Sequence, residues 1–389
     1  MNVPTRRTLL ILGVDTTWAL TSSAPIWKYL SHPKAITAIV LGFLSIALGM
    51  YWLDCLNRRQ RQIGIGWFLL LFLFLTAAFA ILYPISLKHT LNIGSDREDA
   101  LRIELTAIHH HQYPYAARTF LGNPPTPLPG AMLLAAPFFA FGHIAWQNFL
   151  WLALFFLFTV HFFRRRATAL FLLTVFLLCA PGNLSDFTSG GDYLINFFYV
   201  AIAITLFSQS LDRSFYVSIP AALFLGVTLS SRIIYPVILI PLLALALQQI
   251  SRRRTVALFV LILLAAAVIT LPFFTPHSAI HLSQQLNQSA PKLRYIPSAL
   301  HPRWTLPSLA VLVSCIAFFV RMDLPRLFLI FSAATFIMLF PFVASFALHA
   351  IQLRYAFFYL SISALSFSLW ALRQYERLSP GTPNPVNSI

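Results

Sequence analysis

The sequence predicts an all-α polytopic membrane protein, a transmembrane bundle of about 11 to 12 spans with a large first outer loop. Of its 389 residues, 58% are hydrophobic and only 10% are charged, so a soluble globule would leave much apolar surface in water. The apolar residues fall in long runs, and in lipid such a run satisfies its backbone hydrogen bonds only as a helix. The net charge of +16 sits in short Lys/Arg clusters between those runs. That pattern argues against a nucleic-acid partner and for membrane lipid head groups.

A crossing helix needs about 20 apolar residues. Runs of that kind lie near 34–53, 64–86, 144–163, 168–183, 193–209, 215–230, 233–250, 255–273, 305–320, 326–347 and 354–372. Residues 8–30 add a twelfth span, because it would put Arg6 and Arg7 on the side of the other basic clusters. That segment also has the outline of a signal peptide. Asp15 interrupts its apolar region and Pro25 follows the small residues, so it is read as part of the mature chain.

Threading the spans gathers Arg58, Arg59, Arg61, Arg164 to Arg166, Arg213, Arg252 to Arg254, Arg321, Arg326, Arg373 and Arg377 on one face. The positive-inside rule makes that face cytoplasmic. Residues 88–143, 184–192, 230–233, 274–304 and 348–353 then lie outside. Residues 1–378 read as a single domain and the Pro-rich 379–389 as a disordered tail. Trp27, Tyr29, Tyr83, Trp304 and Trp370 near span ends read as interfacial anchors. Cys55, Cys179 and Cys315 lack metal-site spacing and read as free thiols. There is no phosphate-binding P-loop, dinucleotide fingerprint, Gly-x-Ser-x-Gly elbow or His-Glu-x-x-His.

The first outer loop opens with Gly94-Ser95-Asp96-Arg97-Glu98-Asp99-Ala100-Leu101-Arg102, three acids within four positions in a chain that has eleven. Ser95 as N-cap with Glu98 as capping box accounts for part of this, and Glu98 can pair with Arg102 at i, i+4. Asp96 and Asp99 are then left on one helical face. There they could take a proton from an acceptor hydroxyl or hold a divalent cation. His109, His110 and His111 point in different directions on a helix and lack the i, i+4 geometry of a zinc pair. They read as solvated or phosphate-contacting imidazoles, with His110 a substrate-binding candidate. The prolines of Gln112-Tyr113-Pro114-Tyr115 and Asn123-Pro124-Pro125-Thr126-Pro127-Leu128-Pro129-Gly130 forbid a continuous helix.

An acidic residue in the first large outer loop, then Tyr113-Pro114-Tyr115, a Pro-rich turn and an exit at Pro137-Phe138-Phe139-Ala140-Phe141-Gly142 resembles the C-type (GT-C) membrane glycosyltransferases. The nearest likeness is to bacterial polyprenol-phosphate-mannose-dependent mannosyltransferases. It covers residues 94–142. That family's usual run is Asp, then Gly-x-x-Pro-Tyr, then Tyr-Pro-Pro-Leu, and its Asp usually follows the first span. The resemblance implies inverting transfer of a sugar from a polyprenyl-phosphate donor to a glycan, lipid or protein acceptor on the outer face of a bacterial plasma membrane. Asp96 and Asp99 are the positions that match its catalytic base. Glu98, Tyr113 and Tyr115 lie in the same stretch and are expected to bind substrate.

Further outer polar residues complete the candidate set. Ser185 to Tyr193 is a short turn in which Gly190 and Gly191 bend the chain, while Asp186 and Asp192 either cap helices or shape an acceptor pocket. Arg232 breaks an apolar region near the outer boundary and is a phosphate-binding candidate, with snorkelling to lipid phosphates as the bland alternative. Lys292, Arg294, His301 and Arg303 make an acid-free basic loop suited to the phosphate of a lipid donor. Arg354, with His349 and Gln352, forms a last outer turn. A transporter or flippase for a lipid-linked or sugar substrate would need polar residues along a path through the spans, and a non-catalytic membrane protein would leave the acids as helix caps.

Overall fold

The computed structural model describes residues 3–59, 63–88, 96–274, 293, 296–350 and 357–378, and every regular element among them is helical. Among these residues, six helices are long and apolar enough to cross a bilayer: His32–Leu56, Gly66–Ser86, Ile144–Phe162, Tyr193–Ser210, Arg252–Phe274 and Leu324–Pro341. The protein is thus a multi-pass membrane protein, as composition requires.

Four of the remaining expected spans are helical too, but each of the four is shorter or broken. The segment expected at 168–183 is not one rod: α7 (Arg166–Leu173) runs into a π-turn at Thr174–Leu178, and the chain then bends by 75° into α8 (Pro181–Thr188). Pro181 lacks an N–H and Ala180 is extended, so the helical ladder stops there and restarts in a new direction. Phe215–Leu229, Tyr235–Gln249 and Pro302–Phe318 are apolar but shorter than a full crossing. The twelfth segment is an unbroken helix, α1 (Val3–Tyr29), in which Asp15 is buried.

Two ends of the bundle are set by α9 (Tyr193–Ser210), whose 18 residues separate its termini by about 27 Å. At its Ser210 end lie the basic clusters. Arg7 of α1 pairs with Asp54 of α2 (His32–Arg58) and donates to Tyr375 Oη of α15 (Ser361–Leu378) at 2.9 Å. Buried Glu376 accepts the backbone N–H groups of Arg164 and Arg165, at 3.1 and 3.0 Å, where α6 (Gln147–Phe162) hands over to α7. Arg254, in the first turn of α12 (Arg252–Thr270), donates to Arg213 O at 2.5 Å and Ser218 Oγ at 2.8 Å, pinning the turn before α10 (Phe215–Leu229).

The core between these ends is aromatic. Phe155 of α6 stacks on Phe198 of α9 with ring centres 4.0 Å apart. Glycine permits a close crossing of α10 and α12: a Cβ on Gly226 of α10 would strike Ile262 O of α12.

Candidate functional site

At the Asp192 end of α9, acids and arginines from three separated segments meet, and tyrosines from a fourth brace them. The first is α4 (Arg97–His109), an amphipathic helix after α3 (Gly66–Ser86), whose buried side carries Glu98, Asp99, Leu101, Glu104 and Leu105. Among the described residues, the start of this helix differs from the expected capping box. The helix begins at Arg97, so Asp96 occupies the N-cap position and Glu98 falls one residue too early to reach back; Asp96 makes no side-chain cap bond. Ser95 lies outside the described residues. Arg102 bonds Asp99 Oδ1 at 2.7 Å, three residues back, in place of the expected hydrogen-bonded partner Glu98.

Asp96 and Asp99 share a face as expected, and both grip the segment Thr119–Asn123. Asp96 Oδ2 accepts from Thr119 Oγ1 at 3.0 Å and Asn123 Nδ2 at 2.7 Å. Its Oδ1 has no hydrogen-bond partner among the described residues, and the side chain is half-buried. Asp99 is different: it is buried, Oδ1 faces Arg102 and Oδ2 accepts the Phe120 N–H at 2.9 Å, so both oxygens are engaged. One aspartate is open and held. The other is a fastener.

The second segment is the turn between α8 and α9. Asp186 pairs with Arg97 and also accepts the N–H of Leu194 in the first turn of α9 at 2.9 Å, which is the capping role the acids were expected to fill. The Arg97 guanidinium lies 4.1 Å from the ring centre of Phe358. Burial, the largest single effect, would lower the Arg97 pKa, but Asp186, Tyr359 and Asp192 together outweigh it and leave it raised. The turn needs its glycines: Gly190 has φ +72°, and a Cβ on Gly191 would strike the Asp186 carboxylate.

The third segment, residues 230–235, brings Arg232 inward. Its Nη2 spans both Asp192 oxygens at 2.7 and 2.6 Å, and its Nη1 donates to Thr126 Oγ1 of the Pro-rich turn at 2.7 Å. Asp192 also accepts from Asn196 Nδ2 at 3.1 Å. Arg232 therefore does not snorkel. Only 14% of its side chain remains open, and it is engaged as a buried cross-link in the described state. The same turn is tied to the Pro-rich segment by Leu128 N–H to Ser231 O at 3.0 Å. A Cβ on Gly130, at the start of α5 (Pro129–Ala140), would collide with Val227 O and Ser230 Oγ.

The fourth segment is the Tyr-Pro-Tyr run. Tyr113 Oη donates to Phe273 O at 3.0 Å, and buried Tyr115 Oη to Pro127 O at 3.2 Å. The two tyrosines thus brace the loop. Burial raises the Tyr115 pKa well above its ordinary value, with Glu104 adding to the rise.

Glu104 is the residue sequence reasoning missed. It is fully buried, and neither carboxyl oxygen has a hydrogen-bond partner among the described residues. Burial drives its pKa well above the carboxylate range; Asp192 pushes the same way and Arg232 opposes. Glu98 is also raised, chiefly by burial with Asp99 assisting, against the lowering effects of Tyr83 and Arg102.

His109, His110 and His111 are exposed, and His111 adopts φ +58° as α4 ends. Arg303 stands exposed in the first turn of α13 (Pro302–Cys315). Arg294 and Arg354 lie outside the described residues, as do Lys292 and Gln352. No group of three or more His, Cys, Asp or Glu side chains placed to hold a metal ion occurs among the described residues. The three cysteines are free thiols.

No family model, curated protein or solved structure matches this chain.

Proposed function

We propose that the protein is a membrane glycosyltransferase of the GT-C kind. It transfers a sugar from a polyprenyl-phosphate donor to a lipid, glycan or protein acceptor at the bundle end that carries Asp96, facing away from the cytoplasm. One observation carries this reading: Asp96 is half-buried with one carboxylate oxygen fixed by Thr119 and Asn123 and the other unbonded among the described residues. A base must be held and still accessible, and this carboxylate meets both conditions.

In the reaction, the acceptor O–H gives its proton to Asp96 Oδ1 as its oxygen attacks the anomeric carbon. The bond from that carbon to the lipid phosphate breaks with inversion, and polyprenyl phosphate leaves with the electron pair. Asp99, saturated by Arg102 and Phe120, positions the Thr119–Asn123 segment that in turn positions Asp96. Arg97–Asp186 and Arg232–Asp192 lock α4, α9 and the Pro-rich turn around it. The basic residues Arg303, Arg294 and Arg354 are the phosphate-binding set in this proposal. The basic clusters at the other end support a cytoplasmic orientation for that end and the full count of 11 to 12 crossings.

The test is purified protein in nanodiscs with a polyprenyl-phosphate-linked sugar and a hydroxyl acceptor. Release of polyprenyl phosphate should be seen and should fall by about 10²–10⁴ in Asp96→Asn, the usual worth of a general base. Movement of the donor between leaflets with no new glycosidic bond would replace this reading with a carrier.

A further inference from the structure

At the basic end, a cleft of about 820 Å³ opens between the last turn of α6, the last turn of α9 and the first half of α10. Its wall is apolar, formed by Leu206, Val217, Ala221 and Phe224, with Leu206 and Val217 about half exposed to whatever fills it. Its mouth is polar. Gln209 Nε2 and His161 Nε2, both lining the cleft, lie 2.9 Å apart and clip α9 to α6. Arg254 ties the adjoining 213–218 turn through Arg213 O and Ser218 Oγ. Arg213 lines the cleft as well and has no carboxylate partner among the described residues.

We propose that this cleft binds one bilayer phospholipid with an anionic head group: an acyl chain lies against Leu206, Val217 and Phe224, and the phosphate meets Arg213 and His161. Because α9 is a crossing helix, its last turn lies where acyl chains give way to head groups. The volume falls within the ~300–1,000 Å³ typical of built ligand sites. Charge selects the head group. Arg213, Arg252 and Arg253 stand at this end against Asp212, so an anionic lipid is favoured over a zwitterionic one. The site lies at the opposite end of α9 from Asp96 and does not depend on the proposed reaction.

The experiment is native mass spectrometry of the delipidated full chain with phosphatidylglycerol or phosphatidylcholine added. Phosphatidylglycerol should be retained about tenfold better at equal concentration. Ala221→Trp, which fills the cleft, should reduce its retention by about tenfold. Ala221→Leu, the smaller change that keeps the test decisive if Trp prevents folding, should reduce it by a lesser factor. Arg213→Gln should remove the preference for phosphatidylglycerol while leaving phosphatidylcholine binding unchanged. Equal retention in the filled variants would mean annular lipid only and would overturn the proposal. So would an intact head-group preference in Arg213→Gln, or displacement of the lipid by inorganic phosphate.

Discussion

Replacing Glu104 by Gln should change how stability responds to pH. In the folded protein the acid is fully buried, its oxygens lack partners among the described residues, and burial holds its pKa well above the ordinary range. In the unfolded chain it titrates at about 4.3. Between that value and the raised folded one, the native state carries one more proton than the unfolded state. Stability therefore falls as pH rises, by about 1.4 kcal/mol per unit, until the folded carboxyl itself ionises. The amide introduced by Glu104→Gln has the same shape and no proton to hold, so the variant lacks this slope. At about pH 4 the two proteins should be alike, and the variant should gain on the wild type with each step upward. For 389 residues, an unfolding entropy of ~2 cal/mol/K per residue makes that roughly 2 °C in melting temperature per pH unit. Melting both proteins in one detergent at half-unit intervals from about pH 5 reads the gap directly, because every other titrating group cancels. A gap that stays constant across pH would refute the buried neutral acid.

Other perturbations follow from the same geometry. Asp99→Leu removes the carboxylate that accepts the Phe120 N–H and should cost about 1–3 kcal/mol, with faster proteolysis near 117–123; Asp99→Asn keeps an acceptor and should be milder. Arg232→Met strands Asp192, 3% exposed, and should cost about 3–5 kcal/mol, whereas pairing it with Asp192→Asn should recover part of that loss in thermal melts. Gly130→Ala drives a methyl into Val227 O and Ser230 Oγ and should destabilise by about 1–3 kcal/mol in the same melts, while disturbing the Thr126–Arg232 bond.

Much of the architecture was legible because lipid imposes a simple rule: a polar backbone must close its own hydrogen bonds, so apolar run length reports helices directly. All twelve expected segments contain helix, including the polar first one, whose Asp15 packs inside the bundle. The break at Pro181 was less visible, since the residues before it are as apolar as those of any span and only Pro181 with the polar Asn183, Ser185 and Asp186 after it marks the bend. At the site, the acids of 96–99 and 186–192 stood out by enrichment. Their division of labour did not, because it depends on where Thr119, Phe120 and Asn123 return in space. Glu104 had a local signal: Leu101, Leu105 and Ile108 form a helical stripe, and Glu104 occupies a position within it. Arg232 looked like an open phosphate ligand because its partner Asp192 is 40 residues away in sequence.

The most direct test of the account is mass spectrometry of envelope glycolipids and glycans from a strain lacking this gene, complemented with wild-type or Asp96→Asn protein at matched membrane levels. The account predicts that a sugar-bearing product disappears in the deletion, returns with wild type and stays absent with the variant. Full restoration by Asp96→Asn would contradict it.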